Sequence, residues 1–232
     1  MIGIICAMQV EADGIIACSK QVKTEEFAGM KFISAKLFGK SVVIVVCGAG
    51  KVNAAICAAT MIQRYCPDII INSGVAGSLS PIVSIGDIVI GTKSIEHDMN
   101  STVLGDKQGE VSFPGGKVMY FECDKEAATL LASICRKLPD TKVAYGIIAS
   151  GDIFVSDRRK RLRINDSFGA LACEMEGAAI GHVCFCFGVP YGIIRAISDD
   201  LDENKGVDYV KFCEIASKKT VAAVTEFVKE YR

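Results

Sequence analysis

The stretch Val42-Val43-Ile44-Val45-Val46-Cys47-Gly48-Ala49-Gly50-Lys51 decides the fold. Val42–Cys47 is apolar at every position and rich in β-branched residues, the pattern of a central strand covered on both faces by helices. Gly48 and Gly50 stop it, and the alanine-rich run Val52–Tyr65 reads as a helix packed back on the sheet. A strand, a glycine turn and a helix in that order indicate an α/β fold.

Runs of the same character stand on either side. Ile2–Cys6, Asp68–Asn72, Asp87–Ile90, Val143–Ala149 and Tyr191–Ile197 are short, rich in Val and Ile, and end in glycine or polar residues. Lys31–Cys47, broken at Phe38-Gly39-Lys40-Ser41, reads as a hairpin, so the sheet is expected to be mixed. Glu176–Phe187 is a second helix candidate, and Val210, Cys213, Val221, Val224, Phe227 and Val228 recur at helical spacing near the end. With no repeat, low-complexity tract or Pro/Ser-rich linker, residues 1–232 are expected to form one domain. The least regular region, 92–123, holds Gly105, Gly109, Pro114, Gly115 and Gly116 with several aromatics, and a loop that long is expected to be functional or to lie at an interface.

Composition narrows the function. Half of the 232 residues are hydrophobic, and 26 Lys+Arg against 27 Asp+Glu leave a net charge of −1. That balance gives no electrostatic reason to bind nucleic acid or an anionic membrane, so a small-molecule partner is expected. The cysteine count, 11, is odd, and most cysteines, such as Cys6, Cys47 and Cys57, sit in apolar runs, which suits reduced core residues in the cytoplasm better than a disulfide framework. No apolar run reaches the roughly 18 residues of a membrane helix, and no basic leader precedes Ile2.

In open α/β sheets, ligands bind beyond the carboxyl ends of the strands. Here those ends carry Met8-Gln9-Val10-Glu11, Gly48-Ala49-Gly50, Ser73-Gly74-Val75-Ala76-Gly77-Ser78, Ser150-Gly151-Asp152-Ile153-Phe154-Val155, Glu174-Met175-Glu176 and Arg195-Ala196-Ile197-Ser198-Asp199. Carboxylates dominate this rim. Arg195, set in an apolar strand, must be paired if buried, and both the glutamates and Asp199 are candidate partners. Each acid also has a plain structural reading: Asp199, leading into Asp200 and Asp202, as a helix-entry cap, Glu11 as a first-turn dipole partner, Glu174 and Glu176 as ion-pair partners. Their gathering on one predicted rim points instead to acid–base chemistry.

Other signals fail on inspection. A phosphate loop ending at Gly50-Lys51 needs glycine where Val45 stands and Ser or Thr where Val52 stands, and a dinucleotide fingerprint needs glycine in place of Asn53. Asp200, Asp202 and Asn204 begin like a calcium loop, but Lys205 and Lys211 occupy its glycine and closing glutamate positions. On a helix His182 and Cys186 share a face from which Cys184 points away, so core packing is preferred to a metal site. Arg158-Arg159-Lys160-Arg161 reads as a solvated helix face. There is no Gly-x-Ser-x-Gly elbow. Neither metal nor cofactor is expected.

Taken together, Gly3-Ile4-Ile5-Cys6-Ala7-Met8 with Glu11, Gly48-Ala49-Gly50-Lys51-Val52, Asn72-Ser73-Gly74-Val75-Ala76-Gly77, Gly86-Asp87-Ile88-Val89, His97-Asp98, Ser150-Gly151-Asp152, Glu174-Met175-Glu176 and Arg195-Ala196-Ile197-Ser198-Asp199 resemble the 5′-methylthioadenosine/S-adenosylhomocysteine nucleosidases of the purine nucleoside and uridine phosphorylase superfamily, over nearly the whole chain. The resemblance implies a three-layer α/β/α sandwich around a mixed twisted sheet, a homodimer, and cofactor-free hydrolysis of 5′-methylthioadenosine, S-adenosylhomocysteine and 5′-deoxyadenosine to adenine and the substituted ribose. It implies Asp199 as the acid at purine N7, Glu11 as the holder of the attacking water, and Glu176 with the Met175 backbone on the ribose hydroxyls. Phe154 stacks on adenine in this scheme and the Val155 backbone bonds to it. Met8, Ala49, Phe113 and Tyr209 line the 5′-alkylthio pocket, with Phe113 contributed by the other subunit. Val75, Ala76, Gly77, Glu174, Arg195 and Ser198 complete the site.

Val75 stands where many relatives carry Ser or Thr, Ala49 is smaller than the residue often found beside the thio group, and Asn100 replaces an aspartate. Three rivals remain. A phosphorylase of the same fold needs cations near the ribose, where Glu11 instead repels phosphate. A futalosine-type nucleosidase shares the machinery with a larger 5′ pocket. A silent nucleoside-binding protein has no need of all three acids.

Overall fold

The structure is a computed structural model that describes residues 1–199, 201 and 209–232, the side chains of 209–211 excepted. The acidic run holding Asp200, Asp202 and Asn204 falls outside the described residues, as does the Tyr209 side chain.

In chain order the strands are β1 (Ile2–Cys6), β2 (Lys20–Phe27), β3 (Met30–Leu37), β4 (Lys40–Val46), β5 (Ile69–Ser78), β6 (Ile88–Glu96), β7 (Val111–Phe113), β8 (Gly116–Val118), β9 (Phe121–Glu122), β10 (Val143–Ser150), β11 (Ala170–Glu174) and β12 (Tyr191–Asp199). The helices are α1 (Gln9–Ala17), α2 (Lys51–Tyr65), α3 (Lys125–Cys135), α4 (Arg158–Phe168), α5 (Gly177–Phe187) and α6 (Tyr209–Glu230). Ten strands form one mixed sheet in the order β11-β10-β6-β12-β5-β1-β4-β3-β2, with β9 on β6. β1 runs parallel to β4 and β5, β12 parallel to β5, and β10 parallel to β6 and β11. β12 meets β6 antiparallel, and β11 also pairs antiparallel with β5, which closes that half of the sheet on itself.

Strand alternation explains the three layers. Ile2, Ile4, Val42, Ile44, Ile69 and Ile71 face one side with Ala12 and Ile15 of α1, Leu131 of α3 and Val224 and Phe227 of α6. Ile5, Val43, Val45 and Ile70 face the other, with Ala54, Cys57 and Met61 of α2 and Ile180 and Cys184 of α5. Because successive side chains point oppositely, a strand buried on both faces is apolar at every position. A smaller cluster of Leu79, Ile95, Ala149, Val155, Phe168 and Ala170 lies under α4.

The structure departs from the sequence reading in four places. β5 does not end at Asn72 but runs buried through Ser73-Gly74-Val75-Ala76-Gly77-Ser78, held by β12 and then by β11. β6 likewise continues to Glu96, and the supposedly irregular region carries the β7–β8 hairpin and β9. β2 is an additional strand and α3 an additional helix, while β11 and α1 give bounds to the strand end at Glu174 and the helix start at Glu11. The hairpin of β3 and β4 turns at Phe38-Gly39, whose φ angles are 50° and 81°. No disulfide joins the eleven cysteines, eight of which are buried, and among the described residues no helix is long and apolar enough to cross a membrane.

Candidate active site

Strands β1, β4, β5, β10, β11 and β12 deliver their carboxyl ends to one cleft. Ala7, Met8, Glu11, Ala49, Val75, Ala76, Gly77, Ile153, Phe154, Val155, Arg161, Cys173, Glu174, Met175, Glu176, Ser198 and Asp199 line it. Glu11, Glu176 and Asp199 therefore share one concavity. Arg195 lies behind this wall, 1% exposed, and the Tyr209 side chain lies outside the described residues.

Glu11 enters the cleft from the first turn of α1. Its Oε2 accepts the N–H groups of Ala7 and Met8, each at 2.9 Å, and its Oε1 accepts that of Val75 at 3.0 Å. It thus does what the plain reading said, closing the helix start, while also tying β1 to β5. At this point Val75 contributes its backbone and not its side chain. Gly74 makes the approach possible: a Cβ there would lie 2.6 Å from Glu11 Oε1 and 3.0 Å from an Arg195 terminal nitrogen.

Arg195 is paired with Glu174 Oε2 and Asn72 Oδ1, not with Asp199. Glu174 also accepts from Ser150 Oγ and from the N–H groups of Glu176 and Gly177, at 3.0 and 2.8 Å. Glu176, 5% exposed, accepts the Gly50 N–H at 2.9 Å, so the turn after β4 holds it. Three buried carboxylates share one guanidinium, and their charges sort accordingly. Burial works against the charge of Glu174, but Arg195 and the hydrogen bonds outweigh it and hold its pKa below the usual range. Burial and the adjacent Glu174 charge push Glu176 up to about 7. Burial also raises Glu11, against Arg195 and its three backbone donors.

Asp199 ends β12 with a side chain 25% exposed. Its Oδ1 accepts from Ser198 Oγ at 2.9 Å, and its Oδ2 is ion-paired with Arg161. Arg161 corrects the sequence reading. The run Arg158-Arg159-Lys160-Arg161 is not solvated throughout, because Arg161 is 4% exposed and faces the cleft. The signal was available in helical spacing: Arg161 shares the α4 face that carries Ile164 and Phe168 into the core.

Phe154, 57% exposed, and Val155, 7% exposed, follow β10 into the cleft. Phe113 does not reach the cleft of its own chain. It lies on β7 against Phe185 and His182, with ring centroids 5.5 and 6.4 Å away. His182 bonds Glu96 at 3.1 Å, and Lys51 bonds Glu96 and Asp98, away from the acids of the cleft. Among the described residues no cluster of His, Cys, Asp and Glu has the arrangement of a metal site.

Comparisons with known proteins agree with this geometry. The family model described as the phosphorylase superfamily matches residues 1–229. A 5′-methylthioadenosine/S-adenosylhomocysteine nucleosidase of Shewanella loihica is 34% identical over 229 residues, covering 98% of both chains. The crystal structure of such a nucleosidase from Neisseria meningitidis, in complex with methylthio-immucillin-A, superposes with a TM-score of 0.91 at 33% identity over 98% of each chain. The futalosine hydrolase of Helicobacter pylori superposes with a TM-score of 0.90 at 27% identity, over 99% of this chain and 97% of that one. The chain belongs to the 5′-methylthioadenosine/S-adenosylhomocysteine nucleosidases of the phosphorylase superfamily.

Proposed function

We propose that the chain hydrolyses the N-glycosidic bond of 5′-methylthioadenosine, S-adenosylhomocysteine and 5′-deoxyadenosine, releasing adenine and the 5′-substituted ribose without a cofactor. The observation that carries this reading is the gathering of Glu11, Glu176 and Asp199 around one cleft. Asp199 is the acid: as the N9–C1′ bond breaks and its electron pair moves onto the purine, N7 takes the Asp199 proton and adenine leaves neutral. Acid catalysis of this kind contributes about 100- to 10,000-fold. The ribose becomes cationic, and Glu176, ionised, stabilises it through the hydroxyls and by its field, with the Met175 backbone alongside. Glu11 keeps lone-pair capacity beyond its three backbone bonds and uses it to orient a water toward C1′ and to take the proton that this water releases as its oxygen bonds C1′. Phe154 stacks on the purine and the Val155 backbone bonds its edge.

Water rather than phosphate is the nucleophile in this reading. Among the described cleft-lining residues the only cation is Arg161, and it is ion-paired with Asp199. Arg195 is locked behind the wall by Glu174 and Asn72. A phosphate dianion would meet carboxylates there.

Met8, Ala49 and Tyr209 take the 5′-alkylthio group, and Phe113 completes the pocket from a second copy in a homodimer. The exposed apolar side chains of Val52 and Ile56 on α2 and of Phe185 and Phe187 on α5 support that assembly, with Phe113 packed against Phe185. A product assay with methylthioadenosine, S-adenosylhomocysteine, 5′-deoxyadenosine and aminofutalosine, run with and without phosphate, tests the whole reading. Adenine with free 5′-substituted ribose is expected, and Asp199→Asn is expected to bind methylthioadenosine while losing most turnover. Ribose-1-phosphate product, or unchanged turnover in Asp199→Asn, refutes it.

A further inference from the structure

Arg161 lines the cleft yet serves neither the ribose end nor the water. Its guanidinium joins three segments of the fold: Nε donates to the Val155 carbonyl at 2.8 Å, one terminal nitrogen reaches the Ser78 carbonyl at 3.5 Å, and the other is ion-paired with Asp199 Oδ2. The ends of β5 and β12 and the segment after β10 thereby meet on one side chain. A planar fork with fixed donor directions, anchored on carbonyls and based on a helix, holds an acceptor in one orientation far better than a flexible ammonium does.

The two oxygens of Asp199 are held unequally. Oδ2 is gripped by Arg161, whereas Oδ1 is bonded to a hydroxyl that rotates about a single bond and has a second acceptor, the Ala76 carbonyl, 3.4 Å away. Of the two oxygens, Oδ1 is therefore the one that a ligand atom could reach by turning the Ser198 hydroxyl toward Ala76. Gly77 is an independent sign that this pair shapes the fold. A Cβ at that position would lie 2.9 Å from Asp199 Oδ2 and 3.4 Å from Arg161 Cζ, so β5 dispenses with a side chain where the pair passes.

We propose that Arg161 is the positioning residue of the acid: it fixes Asp199 through Oδ2 so that Oδ1 presents the proton to N7, and it accompanies the carboxylate charge that appears when the proton leaves. This rests on Asp199 acting as the acid. Loss of the grip lets the carboxyl group rotate, and misplacing a reacting group by about 1 Å costs on the order of 100-fold.

The test is steady-state hydrolysis of 5′-methylthioadenosine by wild type, Arg161→Met, Arg161→Lys, Asp199→Asn and the double variant Arg161→Met with Asp199→Asn. Adenine is quantified after extended incubation so that slow variants are measured, and melting temperatures are recorded in parallel. Arg161→Met is expected to lower kcat about 10- to 100-fold with KM changed less than about threefold. Arg161→Lys, which keeps the charge without the fork, falls between it and wild type. In the Asp199→Asn background the same Arg161→Met change is expected to cost less than about threefold, because residues acting as a unit are not additive. Unchanged kcat in Arg161→Met, or an equal loss in both backgrounds, overturns the role given to Arg161. Full turnover in Asp199→Asn alone instead overturns the acid on which it rests.

Discussion

Replacing Glu176 with Gln separates what this carboxylate does for the fold from what it does for the reaction. Burial and the charge of Glu174 raise the Glu176 pKa from 4.5 to about 7, against Arg195 and the Gly50 N–H. A folded-state pKa above the unfolded one means that the native state binds more protons than the unfolded chain across that window. The resulting stability is present below about pH 4.5 and is lost as pH rises through 7. At about 1.4 kcal/mol per pKa unit, the ionised side chain costs the ligand-free protein ~3 kcal/mol at pH 8. Glu176→Gln removes that charge and keeps an oxygen for the Gly50 N–H, which Glu176 accepts at 2.9 Å.

The variant is therefore expected to match wild type in urea unfolding near pH 5 and to exceed it by ~3 kcal/mol at pH 8. For a chain of this size that corresponds to a melting temperature higher by roughly 6 to 12 °C. Hydrolysis moves the other way. With the ionised form as the proposed stabiliser of the ribose cation, wild-type kcat/KM is expected to fall about tenfold per pH unit below 7, and the variant to be poorly active throughout. A stability difference that is the same at pH 5 and pH 8 would refute the reasoning, since it would mean that Glu176 ionises alike in the folded and unfolded chains.

Two more substitutions probe the same cleft. Glu11→Gln puts an amide NH2 against either the Ala7 and Met8 N–H groups or that of Val75, all three now bonded to the carboxylate; a loss of about 1–3 kcal/mol in unfolding free energy is expected together with most of the turnover, and a variant with wild-type kcat would free Glu11 of its water-holding role. Gly77→Ala places a Cβ 2.9 Å from Asp199 Oδ2, so kcat is expected to drop about 10- to 100-fold while far-ultraviolet circular dichroism is unchanged; equal rates would show that the acid tolerates displacement.

Legibility in the sequence followed burial. Ile2–Cys6 and the runs ending at Cys47 and Ile197 were readable because each is covered on both faces, which keeps them apolar save for Arg195, whose charge Glu174 pairs. β2, Lys20–Phe27, was unreadable for the opposite reason: nearly every residue is exposed, the strand is an edge, and its partner β3 rather than any apolar pattern of its own makes it a strand. β5 was cut short at Asn72 because Ser and Gly ordinarily end strands, whereas here they continue one. Gly74 and Gly77 are small where Glu11 and the Asp199–Arg161 pair pass close to the backbone, a requirement set by side chains distant in the sequence.

The sequence singled out the acids that share the cleft, but not Arg161 and not the distribution of charge. Glu11, Glu174 and Glu176 are chemically identical in the sequence, and only the fold decides that Arg195 engages Glu174 while Glu176 and Glu11 remain in its field without its fork. A second guanidinium within reach of the ribose would hold Glu176 ionised at lower pH, and it would also offer phosphate a seat. Keeping the cleft short of cations at that end therefore serves two purposes at once: it leaves Glu176 poised near neutral pH and leaves water as the nucleophile. The cation that the cleft does hold among the described residues, Arg161, is engaged by Asp199 rather than by Glu176.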